Sequence, residues 1–383
     1  MLTDTIIIGA GPAGLAVGAA LRRASVSFVI LESAERQGES WHRHYDRLHL
    51  HTPKRHSALP YRAYPRSYPR YPSREQFVEY LDDYARAFEL APEVGREVQL
   101  ITRGGGNTWE VVTNAGVYRA RCVVVATGYN RLPNLPRWPG QETFPGRMIH
   151  SREYKNAKAF AGASVLVVGF GNSGAEIALD LAEHGVRCAV AVRGNVNVIP
   201  REILGVPIMM FALALRPLPP RVADRMTTLT RRLAVGNLSA LGLTKRDEGP
   251  LAEVAEARQI PTIDVGTLAR IRSGDIAVRK GVESFDGSEV RFADGTCERF
   301  DAVVFATGYT TGLQSMLPDH MSVLDSHGRP RVCGREAGVP GLYFCGFDLS
   351  STGMLRQIGI EAMAIGRHIA IGRDDATSAA RVR

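Results

Sequence analysis

At 383 residues the chain has room for two or three domains, each with its own core. A 45% hydrophobic and 22% charged composition is that of a soluble globular protein and excludes a disordered or collagen-like chain. The net charge of +8 suits anionic cofactors or an anionic substrate. Basic residues cluster only in pairs such as Arg22-Arg23 and Arg231-Arg232, which argues against a nucleic-acid partner. Cys122, Cys188, Cys297, Cys333 and Cys345 are scattered with no C-x-x-C pair, so a reducing, cytoplasmic setting is expected, with neither a disulfide framework nor a zinc site. The longest apolar stretch, 208–215, is far short of the ~20 residues a membrane span needs. The first strand begins almost at residue 1, so no signal peptide is expected.

Residues 5–8 read as a short buried strand, followed at once by Gly9-Ala10-Gly11-Pro12-Ala13-Gly14, a helix over 15–23 and a second strand over 26–31 that ends on Glu32. This is the dinucleotide fingerprint in its full context. Gly9 makes the tight turn, Gly11 lets the backbone approach a pyrophosphate, and Gly14 allows close helix–strand packing. Pro12 and Ala13 open the helix, whose free N–H groups face the anion. Glu32 would accept from the adenosine ribose and repel a 2′-phosphate, which favours FAD or NAD over NADP at this seat.

Residues 33–74 are rich in Pro, Tyr, His and Arg without clear periodicity, the mark of a long functional loop. Trp41 is placed with the cofactor. Five of the ten histidines (His42, His44, His49, His51, His56) lie here, but only Asp46 accompanies them, so they are read as lining a cofactor cleft and no metal is assigned. Ser73 reads as the N-cap of a helix running to about residue 88. Residues 98–101, 109–113 and 117–120 form a small antiparallel meander, with a turn at Arg103-Gly104-Gly105-Gly106-Asn107. A buried strand over 122–126 then ends in Ala126-Thr127-Gly128-Tyr129, and 302–306 ends the same way in Ala306-Thr307-Gly308-Tyr309. Two such endings point to two related nucleotide-binding units.

Between them lies a second fingerprint: a strand over 164–168, Gly169-Phe170-Gly171-Asn172-Ser173-Gly174, a helix over 175–184 and a strand over 188–192. It ends on Arg193, where the first unit has an acid. A cation there pairs with a 2′-phosphate, so this seat should take NADPH, with Arg201 assisting. The expected fold is α/β, two Rossmann-like domains with the NADPH domain inserted in the FAD domain. The segments are 1–150 and 298–371 for the outer domain, 155–297 for the insert and 372–383 for a flexible tail. Residues 200–220, apolar and punctuated by proline, read as an irregular helix over the core, with a substrate tunnel or a membrane surface as the alternatives. A strand over 341–346 brings Gly346 to the cofactor. A helix over 353–369 would point its N-terminus at the flavin ring.

Two dinucleotide seats imply electrons passing from NADPH to FAD. A disulfide acceptor needs a cysteine pair that this chain lacks, so molecular oxygen remains. The run Phe144-x-Gly146-x-x-x-His150-x-x-x-Tyr154 resembles the identifying motif of class B flavin-dependent monooxygenases. Its terminal Tyr154 looks like the N-oxygenating branch rather than the Baeyer–Villiger enzymes. Tyr45-Asp46-Arg47-Leu48-His49-Leu50-His51, Tyr71-Pro72-Ser73-Arg74-Glu75-Gln76-Phe77 and Thr262-Ile263-Asp264-Val265-Gly266-Thr267-Leu268-Ala269 resemble the YUCCA-type branch, the indole-3-pyruvate monooxygenases. The resemblance weakens after about residue 310.

That resemblance implies a C4a-hydroperoxyflavin acting on indole-3-pyruvate or a similar 2-oxo acid, with O2 as co-substrate and the acetic acid as product; a homodimer is compatible with it. The chemistry lies on the flavin, so no side chain is assigned as catalytic. His49, His51 and Thr52 are the candidate flavin neighbours, and Arg47 or Lys54 the candidate holders of a substrate carboxylate. His150 and Tyr154 are expected to shape the hinge. Many relatives place an Asn against the flavin, whereas this chain has none before Asn107. N- or S-oxygenation of small amines or sulfides is the alternative activity, and a flavin-retaining redox sensor the non-catalytic one.

Overall fold

Short apolar runs bounded by glycine become the strands of one mixed and one parallel sheet, and the periodic segments between them become the covering helices. The computed structural model describes residues 2–106 and 108–381, the side chains of 2, 229 and 373–381 excepted. The chain opens with β1 (Leu2–Ile8), α1 (Pro12–Arg23) and β2 (Phe28–Leu31). Short helices α2 (Glu39–Arg43) and α3 (Lys54–Ser57) interrupt the long loop before α4 (Arg74–Ala87), β3 (Val98–Arg103), β4 (Trp109–Thr113) and β5 (Gly116–Val125). The chain crosses over through β6 (Leu132–Pro133) to β7 (Arg147–His150), β8 (Ser164–Val168), α5 (Asn172–Glu183) and β9 (Arg187–Val192). Next come β10 (Val198–Pro200), the hairpin β11 (Glu202–Ile203) and β12 (Val206–Pro207), then α6 (Ile208–Ala214), α7 (Pro220–Val235) and α8 (Pro250–Ala252). The inserted unit finishes with β13 (Thr262–Asp264), α9 (Thr267–Arg272), β14 (Ile276–Lys280), the meander β15 (Val282–Asp286), β16 (Glu289–Phe292), β17 (Cys297–Arg299), and β18 (Ala302–Phe305). The return runs through β19 (Tyr309–Thr310), α10 (Leu313–Met316), β20 (Leu342–Phe344) and α11 (Met354–Arg381).

The start of α4 follows from its sequence. Gln76 N–H donates to Ser73 Oγ at 3.2 Å, and Ser73 N–H donates back to Gln76 Oε1 at 3.0 Å, a complete capping box. The first sheet pivots on β5. Its first half pairs antiparallel with β4, all of it from Arg119 onward runs parallel to β1, and its last three residues run parallel to β20. The second sheet is wholly parallel in the order β14-β9-β8-β18-β7.

This pairing shifts the expected boundaries. β7 and β18 both belong to the second sheet, so the inserted unit spans 147–305 rather than 155–297. The reason lies in the repeat: each fingerprint strand takes its own Ala-Thr-Gly strand as parallel neighbour, β5 beside β1 and β18 beside β8. Residues 200–220 are less irregular than expected, forming the hairpin and α6, whose Met209 is buried. The helix expected over 353–369 continues as α11 to Arg381. Asn107 and the side chains of the 372–383 tail beyond residue 372 lie outside the described residues. Among the described residues no helix is long and apolar enough to cross a membrane.

The two crossings between domains are tied to each other. β6 and β19 pair antiparallel, Asn134 N–H donates to Gly308 O at 2.9 Å, and Thr307 Oγ1 donates to Asn134 O at 2.5 Å. His150 completes the hinge. Its Nδ1 accepts from Arg152 N–H at 3.2 Å, which leaves Nε2 as the N–H that donates to Gly308 O at 3.1 Å. Burial holds this imidazole below its ordinary pKa, so the neutral tautomer persists. Tyr154 is fully buried and donates to Asp180 Oδ2 at 2.6 Å, an oxygen that also takes Ala157 N–H at 3.1 Å. Burial, then the Asp180 carboxylate, push its phenol far above the ordinary range, which keeps it protonated. Tyr154→Phe should therefore cost about 1–3 kcal/mol in urea unfolding and change kcat by less than about threefold. A large loss of kcat at unchanged stability would assign it a chemical role instead.

Candidate cofactor cleft

Both fingerprints sit where their parallel strands end, the edge at which open α/β sheets bind ligands. At the first, Gly9 has φ +104°, and a Cβ there would lie 2.7 Å from Ala126 O. A Cβ on Gly14 would lie 1.8 Å from Gly9 O. Gly11 is the opposite case: a Cβ there would meet nothing within 4 Å. It is also the N-cap of α1, with Pro12 next and no acid in the first turn. The space that Gly11 leaves open faces unpaired N–H groups of the first turn, which is a seat for an anion. Glu32 accepts from Ala10 N–H at 2.7 Å and Ala34 N–H at 2.9 Å, which ties the acid to the glycine turn. Thr127 Oγ1 is buried with no partner, a hydroxyl left for a ligand. Gly346, at φ +86°, packs against Ala13, where a Cβ would come within 3.0 Å of the alanine methyl. The open cradle, the tethered acid and the orphaned hydroxyl fit FAD.

The second seat repeats this geometry. A Cβ on Gly169 would lie 2.4 Å from Ala306 O, one on Gly174 would lie 2.1 Å from Gly169 O, and Gly171 again opens onto free space. Asn172 is turned away: its Oδ1 accepts from Ile263 N–H at 2.7 Å and so fixes β13. Ser173 lies beside the Tyr45 phenol. Arg193 is exposed where β9 ends, its backbone and first methylenes against Gly281. Arg201 stacks its guanidinium 4.4 Å from the centre of the Tyr71 ring, and Tyr71 donates to Glu202 at 2.6 Å. Gly308 turns with φ +81°, while the Thr307 hydroxyl is spent on the crossing. An open cradle with an exposed cation and no acid at the strand end fits a phosphorylated nicotinamide dinucleotide.

The histidine-rich loop has a different job from the one expected of it. Tyr45 and Leu48 are buried in the core of the inserted domain, and Trp41 packs on both cores, edge-on to Phe77 at 4.2 Å. Arg47 pairs with Glu183 at 2.8 Å, His51 Nε2 with Glu176 at 2.8 Å, and Lys155 donates to the carbonyls of His42, Arg43 and His44. Tyr45-to-His51 is thus a clamp between domains. His49 is exposed, its Nδ1 on Arg47 O. Lys54 gives its ammonium to the carbonyls of Pro65, Arg66 and Tyr68. Neither Arg47 nor Lys54 is free for a substrate carboxylate, because each is already neutralised or saturated within the fold. Thr52 lies at the start of α11: a Cβ on Gly353, just before that helix, would lie 3.0 Å from its methyl and 3.6 Å from Met209 Sδ.

One buried acid had no counterpart among the residues expected from the sequence. Glu361 on α11 is 2% exposed, accepts Gly346 N–H at 2.7 Å and takes Gln357 Nε2 at 3.1 Å. Burial, opposed by that Gly346 N–H, raises its carboxyl pKa to about 7. The signal was present: Glu361 falls on the helical face of Ile358, Ala362 and Ile365, where an acid is out of place. All five cysteines are free, and burial pushes the Cys122 thiol up to about 11 and Cys188 up to about 12. Disulfide exchange has no thiolate pair to work with.

A family model for pyridine nucleotide-disulphide oxidoreductases matches residues 6–201. A flavin-containing monooxygenase from Stenotrophomonas maltophilia superposes with TM-score 0.72 at 24% identity, over 97% of this chain and 98% of that one. A cyclohexanone-bound cyclohexanone monooxygenase superposes with TM-score 0.76 at 20% identity, over 98% and 88%. The fold is therefore that of the two-dinucleotide flavin monooxygenases. The indole-3-pyruvate monooxygenase YUCCA4 of Oryza sativa subsp. japonica is 42% identical over 90% of this chain and 82% of its own length. YUCCA6 of Arabidopsis thaliana is 39% identical over 91% and 86%. The chain belongs to the YUCCA-type indole-3-pyruvate monooxygenase family.

Two measurements follow. Gly11→Ala should fold normally yet purify without flavin, whereas Gly14→Ala, whose methyl collides with backbone, should fail to fold; flavin absorbance and thermal melting separate the two. For Glu361 the folded chain holds the proton more tightly than the unfolded chain does. Its contribution is thus present below about pH 4.5 and lost as pH rises to about 7, by up to about 3 kcal/mol. The stability of Glu361→Gln relative to wild type should accordingly improve by about 2–3 kcal/mol between about pH 5 and pH 8 in urea titrations, and a flat difference would contradict the assignment.

Proposed function

We propose that this enzyme oxygenates indole-3-pyruvate, or a closely similar aromatic 2-oxo acid, to the corresponding acetic acid. The reaction consumes NADPH, a proton and O2 and releases CO2, water and NADP+. What carries the reading is the combination of two glycine seats of opposite end charge with full-length relatives named as indole-3-pyruvate monooxygenases. Bound FAD, once reduced, supplies the oxygen-transfer chemistry.

The chain's own residues bind, orient and exclude water. Gly9, Gly11, Pro12, Ala13 and Gly14 seat the FAD pyrophosphate, with Glu32 toward the ribose, Thr127 and Gly128 at the strand end, and Gly346 against Ala13. Gly169, Gly171, Ser173 and Gly174 seat NADPH, with Arg193 on its 2′-phosphate and Arg201 beside it. The tied crossings and the Tyr45–His51 clamp hold the two seats in one orientation, and the buried Met209 of α6 lies beside Gly353. A cytoplasmic setting fits five free cysteines.

Holoenzyme given NADPH, O2 and indole-3-pyruvate should release indole-3-acetate, identified by mass spectrometry, with NADPH consumed in step. Oxygenated products from amines or sulfides alone would overturn the reading. Arg193→Ala should lower kcat/KM for NADPH by about 10- to 100-fold and leave NADH within about threefold.

A further inference from the structure

A 2-oxo acid brings a carboxylate into the cleft, and a partly desolvated carboxylate needs a cation. Most cations of the neighbourhood are spent. Arg47 is paired with Glu183, Arg70 with Glu202 and Arg74 with Asp46, Lys54 is saturated by three carbonyls, and Arg201 lies flat on Tyr71. Two cations here have no ion pair among the described residues: Arg55, which is exposed on α3, and Arg356, in the first turn of α11. Arg356 is half-buried, and its one hydrogen bond is a 3.3 Å contact to Thr352 Oγ1.

Its surroundings point the same way. α11 packs on α3, which carries His56, and His56 Nε2 is buried with no partner. Burial, then the Arg55 and Arg356 cations, hold His56 below its ordinary pKa, so it is neutral near pH 7 and able to donate through that nitrogen. At the start of the same turn, Gly353 brings Thr52 and Met209 together. Met209 belongs to α6, the apolar helix Ile208–Ala214. One side of this corner is thus apolar, and the other carries an unneutralised guanidinium and an orphaned imidazole nitrogen.

We infer that Arg356, assisted by His56, is the seat of the substrate carboxylate, with α6 covering the aromatic ring. This rests on the 2-oxo acid reading above and names the residues that select for the acid. Arg356 binds and orients; it takes no part in proton transfer.

The test reads binding separately from turnover. Holoenzyme is titrated with indole-3-acetate and with its neutral isostere indole-3-acetamide, followed by the change in flavin fluorescence. Wild type should bind the acid at least about tenfold tighter than the amide. Arg356→Gln should lose that preference while holding amide affinity within about twofold, and Arg356→Lys should restore part of it. With indole-3-pyruvate, Arg356→Gln should raise KM about tenfold or more, well beyond its effect on kcat. Retention of the acid preference by flavin-loaded Arg356→Gln, or its absence from wild type, overturns the inference. Should Arg356→Gln fail to hold flavin, His56→Gln decides: a fall of about threefold or more in acid preference supports the seat, and no change overturns it. Acid preference that depends on Arg356, found together with no turnover of indole-3-pyruvate, would sink the substrate reading and leave the carboxylate seat standing.

Discussion

The molecule depends on the absence of a side chain at four positions. Gly9 and Gly169 lie so close to the carbonyls of Ala126 and Ala306 that a methyl group would overlap them, and Gly14 and Gly174 are pressed on the turns they close. These contacts bring helix, turn and exit strand together at one point in each domain. Backbone N–H groups then converge on the space that Gly11 and Gly171 leave open. Both seats are thus by-products of close packing. The same packing requires a small, turning exit strand, which is why Ala-Thr-Gly recurs at 126–128 and 306–308.

The second constraint is the relation between the seats. Two chain crossings that were independent would let the domains swing. Here they are hydrogen-bonded to each other through β6 and β19, with His150 bonded to Gly308 beside them. On the other flank, Tyr45 and Leu48 are inserted into the second domain's core while their own backbone belongs to the first. The buried Glu176 receives His51, and its charge helps hold the Tyr45 phenol protonated. A swing would strip apolar area from Tyr45 and Leu48 and leave the Glu176 carboxylate buried without His51, a cost that confines the motion.

Local chemistry was legible in the sequence and long-range partnership was not. The glycine turns, the capping box at Ser73, the strands of both sheets and the opposite charges of Glu32 and Arg193 follow from spacing and residue type. The domain boundary did not, because strand order is set by pairing: nothing in residues 302–306 says that their neighbours are 164–168 and not 122–126. Arg47 and Lys54 were hard to read for a similar reason. A cation or imidazole in a polar loop looks available until its partner is known, and Glu183 lies 136 positions from Arg47. Glu361 was legible in principle, as an acid on an apolar helical face.

The two seats are built alike and closed differently, which bears on which coenzyme stays. Glu32 is held by two backbone N–H groups of its own domain, and α11 lies along α1, with Gly346 wedged on Ala13. Its counterpart Arg193 stands exposed at a strand end, and the loop over α5 comes from the other domain. The first seat is built from packed elements of its own domain, so opening it would disturb that packing. The cation at the second seat is solvated, and an interaction with it would be made and broken without disturbing the core. The asymmetry is the one that a resident FAD and an exchanging NADPH would need.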